Sequence, residues 1–476
     1  MALDLRSREA PPTGSSLGEV IRLGLPMLVG AVSALLSGVI DTAMIGHYGA
    51  TALTAVAGAT TIFDVFANVV LASLVGHQIL AARFVGRGEP AGVRRSLWAS
   101  ARFCGALAGV ATLLCGTAGG WLTGLVSGNG ADLRHIAAGF LLACGPTLLL
   151  LVPFTLLTAT LNAYKRPRFA MIAGIAVNLV NLVLDWALIY GPGPLPRLGA
   201  VGSGLATTIS WAAGVGCLAL AVRRFGLREL LRPPGPGSGP AGPGGAPGFT
   251  TSIPRLAWPA IVSQGLDYTS VAIFFAIIGG VGQSALAGGR IAFQLMVVVY
   301  GVLGAFAAGG RILIGRALGA RDLAAVRSLR RAVARALLLL ALPLGAFLVV
   351  APGAVAALFT SFPLVVAAAD RAVRLVGVCV PVMAWTLGGV STLRACGKTR
   401  QDMYANLVAA VGVQLPAGWL LADGAGLGVT GAFIGVLCYW LTRGAAAGWL
   451  ARTAVSRETR TPPPGKKEKE KGEEQS

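Results

Sequence analysis

Twelve stretches of the chain are apolar over the roughly 20 residues that a helix needs to cross the hydrocarbon core of a bilayer. Their limits are 20–45, 52–81, 97–126, 134–161, 169–190, 199–222, 256–278, 285–310, 334–359, 364–393, 403–422 and 427–451. Each is too long for a buried strand and is bounded by Gly, Pro or charged residues. The pattern predicts an all-α integral membrane protein of twelve transmembrane helices. Segment 233–252, which opens PPGPGSGPAGPGGAPGFT, is too rich in Pro and Gly to form a packed element and separates six spans from six. The expected organisation is a tail over 1–18, a first lobe over 19–232, the linker, a second lobe over 253–455 and a charged, disordered tail over 456–476.

The polar residues between the spans set an orientation. Windows 82–102, 164–168, 223–255, 311–335 and 394–400 hold 23 Lys and Arg residues, whereas the opposite loops hold only Arg134, Arg197, Arg371 and Arg374. By the positive-inside rule the basic loops and both termini face the cytoplasm of a multi-pass protein in the plasma membrane. The net charge of +20 is therefore a topology signal, and nucleic acid is not an expected partner. Attraction to anionic lipid is a secondary reading.

The two sets of six spans are copies. Shifted by 233 residues, Pro26 meets Pro259, Gly76 meets Gly309, Arg83 meets Arg316 and Val93-Arg94 meets Val326-Arg327. The shift becomes 232 at Met171 and Met403, and 229 at Gly202 and Gly431. An even number of spans per copy makes the two copies parallel, related by an axis along the membrane normal, with the substrate path expected between them. Residues kept in both copies are mostly Gly, Pro and loop Arg. Asp41, in contrast, meets Phe274, Asn181 meets Val413 and Asp185 meets Ala417. Helix packing gives no reason for polar residues in one copy alone; a site in the first lobe does.

Composition agrees with the bilayer: 55% hydrophobic and 12% charged, with mean hydropathy +0.73. A soluble protein is about a quarter charged. The seven Cys residues form no CxxC pair and read as small core residues. The polar start of the chain and the long first span give no sign of a cleavable signal peptide. His47, His77 and His135 are too scattered for a metal cluster, and no metal or organic cofactor is expected. GxSxG, HExxH and Walker motifs do not occur. GRGEP at 86–90 and GARD at 319–322 read as loop turns. Nothing points to an enzyme.

Candidate chemistry lies inside the spans. In the fifth, GIAVNLVNLVLDWALIYG, residues Asn178, Asn181 and Asp185 fall on one helical face. A carboxylate there costs roughly 2.5–3.5 kcal/mol on insertion scales, so it faces a cavity or a partner; a plain helix-tying acid is the competing reading. In the first span Asp41 follows Ser33 and Ser37 on one stripe. If the two spans meet, Asp41 and Asp185 share a cavity. Two carboxylates in a low-dielectric pocket do not both ionise cheaply, so the pair can take up a proton or hold a cation. Ser203 and Thr207 of the sixth span can add oxygens, and a local cap is the alternative for Asp41. Asp64 and Asn68 of the second span are further cavity candidates, or tie helices together. In the second lobe Gln264, Asp267, Tyr268, Arg290 and Gln294 are the polar intramembrane residues; Asp267 and Arg290 read equally well as an ion pair. Arg290 is taken as the only basic residue well inside a span.

The stretches DTAMIGHYGATALTAVA, GHQILAARFVGRGE, LNAYKRPRFAMIAGIAVNLVNLVLDWALIYG and SALAGGRIAFQL with GRALGARD resemble the multidrug and toxic compound extrusion (MATE) family over nearly all of 18–452. The spacing of Asn181 and Asp185 is similar to the DinF-type branch, which implies a proton-coupling cluster at Asp41, Asn181 and Asp185. The sodium-coupled branches imply acids in the seventh and tenth spans. Asp267 matches the first, but Met383 stands near the second. Lys165 and Asn162 stand where Gly and Arg are common. The resemblance implies two lobes that rock to give alternating access. It also implies a monomer exchanging an inward cation, expected to be a proton, with sodium as the alternative, for an outward amphipathic organic molecule. A flippase for a lipid-linked precursor is the neighbouring alternative; it would favour a cavity lined with Arg or Lys. A membrane-embedded transferase would need a catalytic cluster near a membrane face, and none is found.

Overall fold

The computed structural model describes residues 16–127, 130–191, 196–234 and 249–460. Among them twelve helices are long and apolar enough to cross a membrane: Leu17–Tyr48, Ala50–Arg87, Pro90–Gly124, Ala131–Ala163, Pro167–Tyr190, Ala200–Arg224, Ile253–Val281, Gln283–Gly319, Leu323–Val350, Pro363–Ala395, Thr399–Gly424 and Gly428–Ser456. They are called the first to twelfth spans. Each predicted stretch overlaps one of them. The expected tails over 1–15 and 461–476 and most of the Pro/Gly segment, 235–248, lie outside the described residues.

The helices run further than hydropathy alone suggests. The second, eighth and ninth extend into the basic stretches, so Arg83, Arg87 and Arg316 sit on helical turns rather than in loops. Cations near a helix C-terminus are favourable against its partial negative charge, which is why these ends carry arginine. The intervening turns are tight. Gly88 has φ 70°, Arg321 has φ 58°, and Asp322 caps the ninth span by accepting from the Ala325 amide at 2.8 Å. The predicted ninth stretch overran: the helix stops at Val350, and a separate short helix, Pro352–Ala357, follows. Pro352 ends the first and starts the second.

The chain divides into two compact units. Among the described residues, one comprises 25–127, 130–191, 196–234 and 252–261, and the other 262–460 with 16–24 and 249–251. The division crosses the first and seventh spans within two residues of Pro26 and Pro259, not at the loops before them. Proline removes a backbone donor and weakens the helix there.

The duplication is visible in packing within each unit. A Cβ on Gly202 would come 2.5 Å from the Leu188 carbonyl oxygen; one on Gly431 would come 2.4 Å from the Leu421 carbonyl carbon. Both repeats therefore bring consecutive spans into backbone contact at matched positions. Gly202→Ala and Gly431→Ala are each expected to destabilise by about 1–3 kcal/mol, the usual cost of overpacking. Thermal unfolding of the purified variants in detergent measures this. At another matched pair the repeats differ. Gly397 has φ 68°, and its partner Lys165 reaches φ 58° without being glycine. This is the left-handed conformation that glycine adopts readily, which accounts for the glycine common at that place in the resembled family.

Candidate coupling site

The first and fifth spans run parallel and meet along one polar seam in the first unit. Asn178 Nδ2 donates to Ser33 Oγ at 2.7 Å. One turn on, Ser37 Oγ donates to Asn181 Oδ1 at 3.3 Å. One further turn on, the carboxyl groups of Asp41 and Asp185 lie within interacting range of each other. Tyr190 closes the seam, its hydroxyl donating to the Met44 carbonyl at 2.8 Å. The seam exists because both helices place polar residues at intervals of three or four and lipid-compatible ones elsewhere.

Asp185 is fully buried. Both of its oxygens, like Asp41 Oδ1 and Asn181 Nδ2, are buried without a hydrogen bond of good geometry, and their polar neighbours are Ser203, Asn181 and Asp41. Ser203 of the sixth span stands beside Asp185. The cluster thus offers two acids and an amide whose hydrogen-bonding capacity the protein does not fully use. A buried carboxylate without a donor is costly when ionised. A proton shared between the two acids, or a cation between them, removes that cost.

The matched region of the second unit is apolar. Phe274, which replaces Asp41, packs edge-on against Phe433 at 5.3 Å and against Phe275 at 5.4 Å. Ala432 stands in place of Ser203. The asymmetry seen in the sequence is therefore an asymmetry of filling: aromatic rings in one unit, acids in the other.

Other candidates make their hydrogen bonds elsewhere or are exposed. Thr207 donates to the Ser203 carbonyl of its own helix at 3.0 Å. Asn68 donates to the Asp64 backbone carbonyl at 2.8 Å, and Asp64 is exposed. Tyr268, Arg290 and Gln294 are exposed in the second unit. Asp267 and Arg290 do not pair. Asp267 accepts from Asn406 Nδ2 at 2.8 Å, and the Arg290 guanidinium lies over the Phe275 ring at 5.3 Å. The connection between the two spans explains this. Asp267 lies about 20 Å of helix before it and Arg290 about 10 Å after it, so their depths differ.

The second unit holds a buried polar chain that the sequence reading missed. Asn406 also donates to Ser263 Oγ at 2.8 Å and accepts from the Tyr439 hydroxyl at 2.9 Å. Arg443 donates to that hydroxyl and to Asp402 Oδ1 at 3.4 Å, and Arg394 Nε donates to Asp402 Oδ2 at 2.7 Å. Arg443 is 6% exposed within the twelfth span. Arg290 is therefore not the only basic residue inside a span. The signal was present: Asp402 with Asn406, and Tyr439 with Arg443, repeat the i, i+4 spacing that singled out Asn181 and Asp185.

The MatE family model matches residues 26–187 and again 259–420, two copies 233 residues apart. The chain belongs to the MatE family. A probable multidrug resistance protein NorM of Thermotoga maritima is 24% identical over 92% of this chain and 94% of its own. The multidrug resistance protein MdtK of Pectobacterium atrosepticum is 27% identical over 84% and 86%. Among solved structures, a MATE in complex with MaD3S superposes with TM-score 0.83 over 94% of this chain and 98% of that one, at 19% identity. The fold of this MatE chain is thus that of the solved MATE transporters. Membership also fixes its class: a multi-pass membrane transporter, not an enzyme.

Proposed function

We propose that this MatE protein is a secondary active exporter that exchanges an inward cation, the proton, for an outward amphipathic organic compound by alternating access. The observation that carries the reading is Asp185, an acid buried in the membrane with neither oxygen in a hydrogen bond of good geometry and Asp41 beside it, in one unit only. Such a group is costly as scaffold and useful as a site that is charged and discharged. The names of the relatives, multidrug resistance proteins, support the cargo class. The fifth-span arrangement supports a DinF-type coupling cluster of Asp41, Asn178, Asn181 and Asp185. Protonation and cargo each shift the conformational equilibrium only by their differential affinity for its two states. The loop charges support cytoplasmic termini in the plasma membrane. A monomer suffices for this mechanism, since the cluster lies within one unit of one chain.

The test is transport by the purified protein in liposomes under separately imposed pH and sodium gradients. An amphipathic fluorescent dye is expected to move against its gradient when only a pH gradient is imposed, and to stop on adding a protonophore. Movement driven by sodium alone would replace the proton with sodium. Movement under neither gradient would remove antiport altogether.

A further inference from the structure

A cavity of about 230 Å³ opens inside the second unit, walled by Tyr300, Arg311, Ser391, Arg394, Trp440 and Arg443 among others. Three arginines line it and no acidic residue does. Asp402, which holds Arg394 and Arg443, is not part of the lining. Two residues of the wall carry a buried donor without a hydrogen-bond partner: Nε of Arg443, a residue 6% exposed, and the indole Nε1 of Trp440, 5% exposed. The hydroxyl of Ser391 is turned to the Leu387 carbonyl at 2.6 Å. The wall thus presents an excess of fixed donors. Buried donors are normally paired, and each one left unpaired costs free energy. A single water can answer one such N–H. An anion answers several at once, because the planar guanidinium fork matches the oxygens of a carboxylate or phosphate.

The size and flank of the cavity narrow the ligand. Pockets that enclose a drug-sized molecule run to roughly 300–1,000 Å³, so this one accommodates the end of a molecule. The rings of Tyr300 and Trp440 stand 6.0 Å apart beside the guanidiniums, giving an aromatic surface for an apolar body. We propose that this cavity receives the anionic group, a carboxylate, sulfonate or phosphate, of an amphipathic cargo. The site is distinct from the acid cluster of the first unit and uses none of its residues. It deepens the transport reading and rests on it only in calling the ligand a cargo.

The test is equilibrium binding by the full chain purified in detergent, titrated calorimetrically with phenyl phosphate and with neutral benzyl alcohol. A second arm uses phosphatidylcholine nanodiscs with and without phosphatidic acid, to separate a soluble anion from a lipid headgroup. Phenyl phosphate is expected to bind at least tenfold more tightly than benzyl alcohol. Trp440→Phe keeps an aromatic ring, shortens the indole and removes a donor that no protein group uses; with its thermal midpoint in detergent measured alongside to confirm folding, it is expected to weaken phenyl phosphate at least fivefold. Arg311→Gln is expected to do the same or more. Binding confined to the phosphatidic acid discs, with the same response to the variants, assigns the phosphate to a lipid and upholds the anion site. Equal binding of phosphate and alcohol overturns the proposal, as does binding of no anion in either arm or an affinity unchanged in Trp440→Phe. No gradient is imposed, so a protein that binds but does not transport fails the exporter reading and leaves this one standing.

Discussion

Asp185→Asn is expected to abolish gradient-driven efflux, by at least tenfold, while the protein folds, inserts and accumulates as before. The expectation follows from what surrounds the carboxyl group. Asp185 is fully buried and neither oxygen has a hydrogen bond of good geometry, so a neutral side chain of the same shape fills the same space beside Ser203 and Asn181. The change also removes a group whose ionised form lacks well-placed protein donors, so thermal stability in detergent should hold or rise. What disappears is a site that can change charge. Asp41→Asn is expected to behave alike. Because the two acids interact, their protons belong to the pair, and the double variant should be no worse than either single one. Cells expressing each variant at matched levels, assayed for dye efflux and followed by the liposome assay under a pH gradient, measure this. Undiminished efflux in Asp185→Asn would remove the cluster from the mechanism.

Much of this cluster was readable before any coordinates. A three-four spacing of polar residues on an apolar helix fixes a common face, and the repeat separated residues required by packing from those present for another reason. The comparison of Asp41 with Phe274 was informative because both copies share one backbone frame, so a difference between them reports on side-chain use. The spans were legible because the bilayer demands long apolar helices and little else. Their ends were not, because amphipathic continuations such as those carrying Arg83 and Arg316 lose the hydropathy signal while keeping the helical period. Depth was also lost: Asp267 and Arg290 lie on consecutive spans, yet nothing in sequence order states that their levels differ. The arginine cavity was missed for a related reason. Arg311 and Arg394 fall at span ends, where the positive-inside rule already accounts for arginine, and only the fold turns them inward.

That double role gives Asp402 the largest expected effect on stability. Its carboxylate is 4% exposed and accepts from Arg394 at 2.7 Å and Arg443 at 3.4 Å. Removing one partner of a buried pair leaves the other charge uncompensated, which costs roughly 3–5 kcal/mol. Asp402→Asn is therefore expected to lower the thermal midpoint sharply in detergent, although the change is as conservative as Asp185→Asn. Adding Arg443→Gln removes one of the two charges left unpaired, so the double variant should recover part of the loss; simple addition of the two single effects would show that the pair is not coupled. The first repeat indicates how the lobe manages without this clasp. Its matched positions are Asn162 in place of Arg394 and Ala170 in place of Asp402, so charge and counter-charge are absent together. The same residue type thus serves two opposite ends in this chain. Asp402 accepts from two guanidiniums and holds helices together. Asp185 has no such partners, and in the proposed mechanism the absence of that support leaves it available to take up and release an ion.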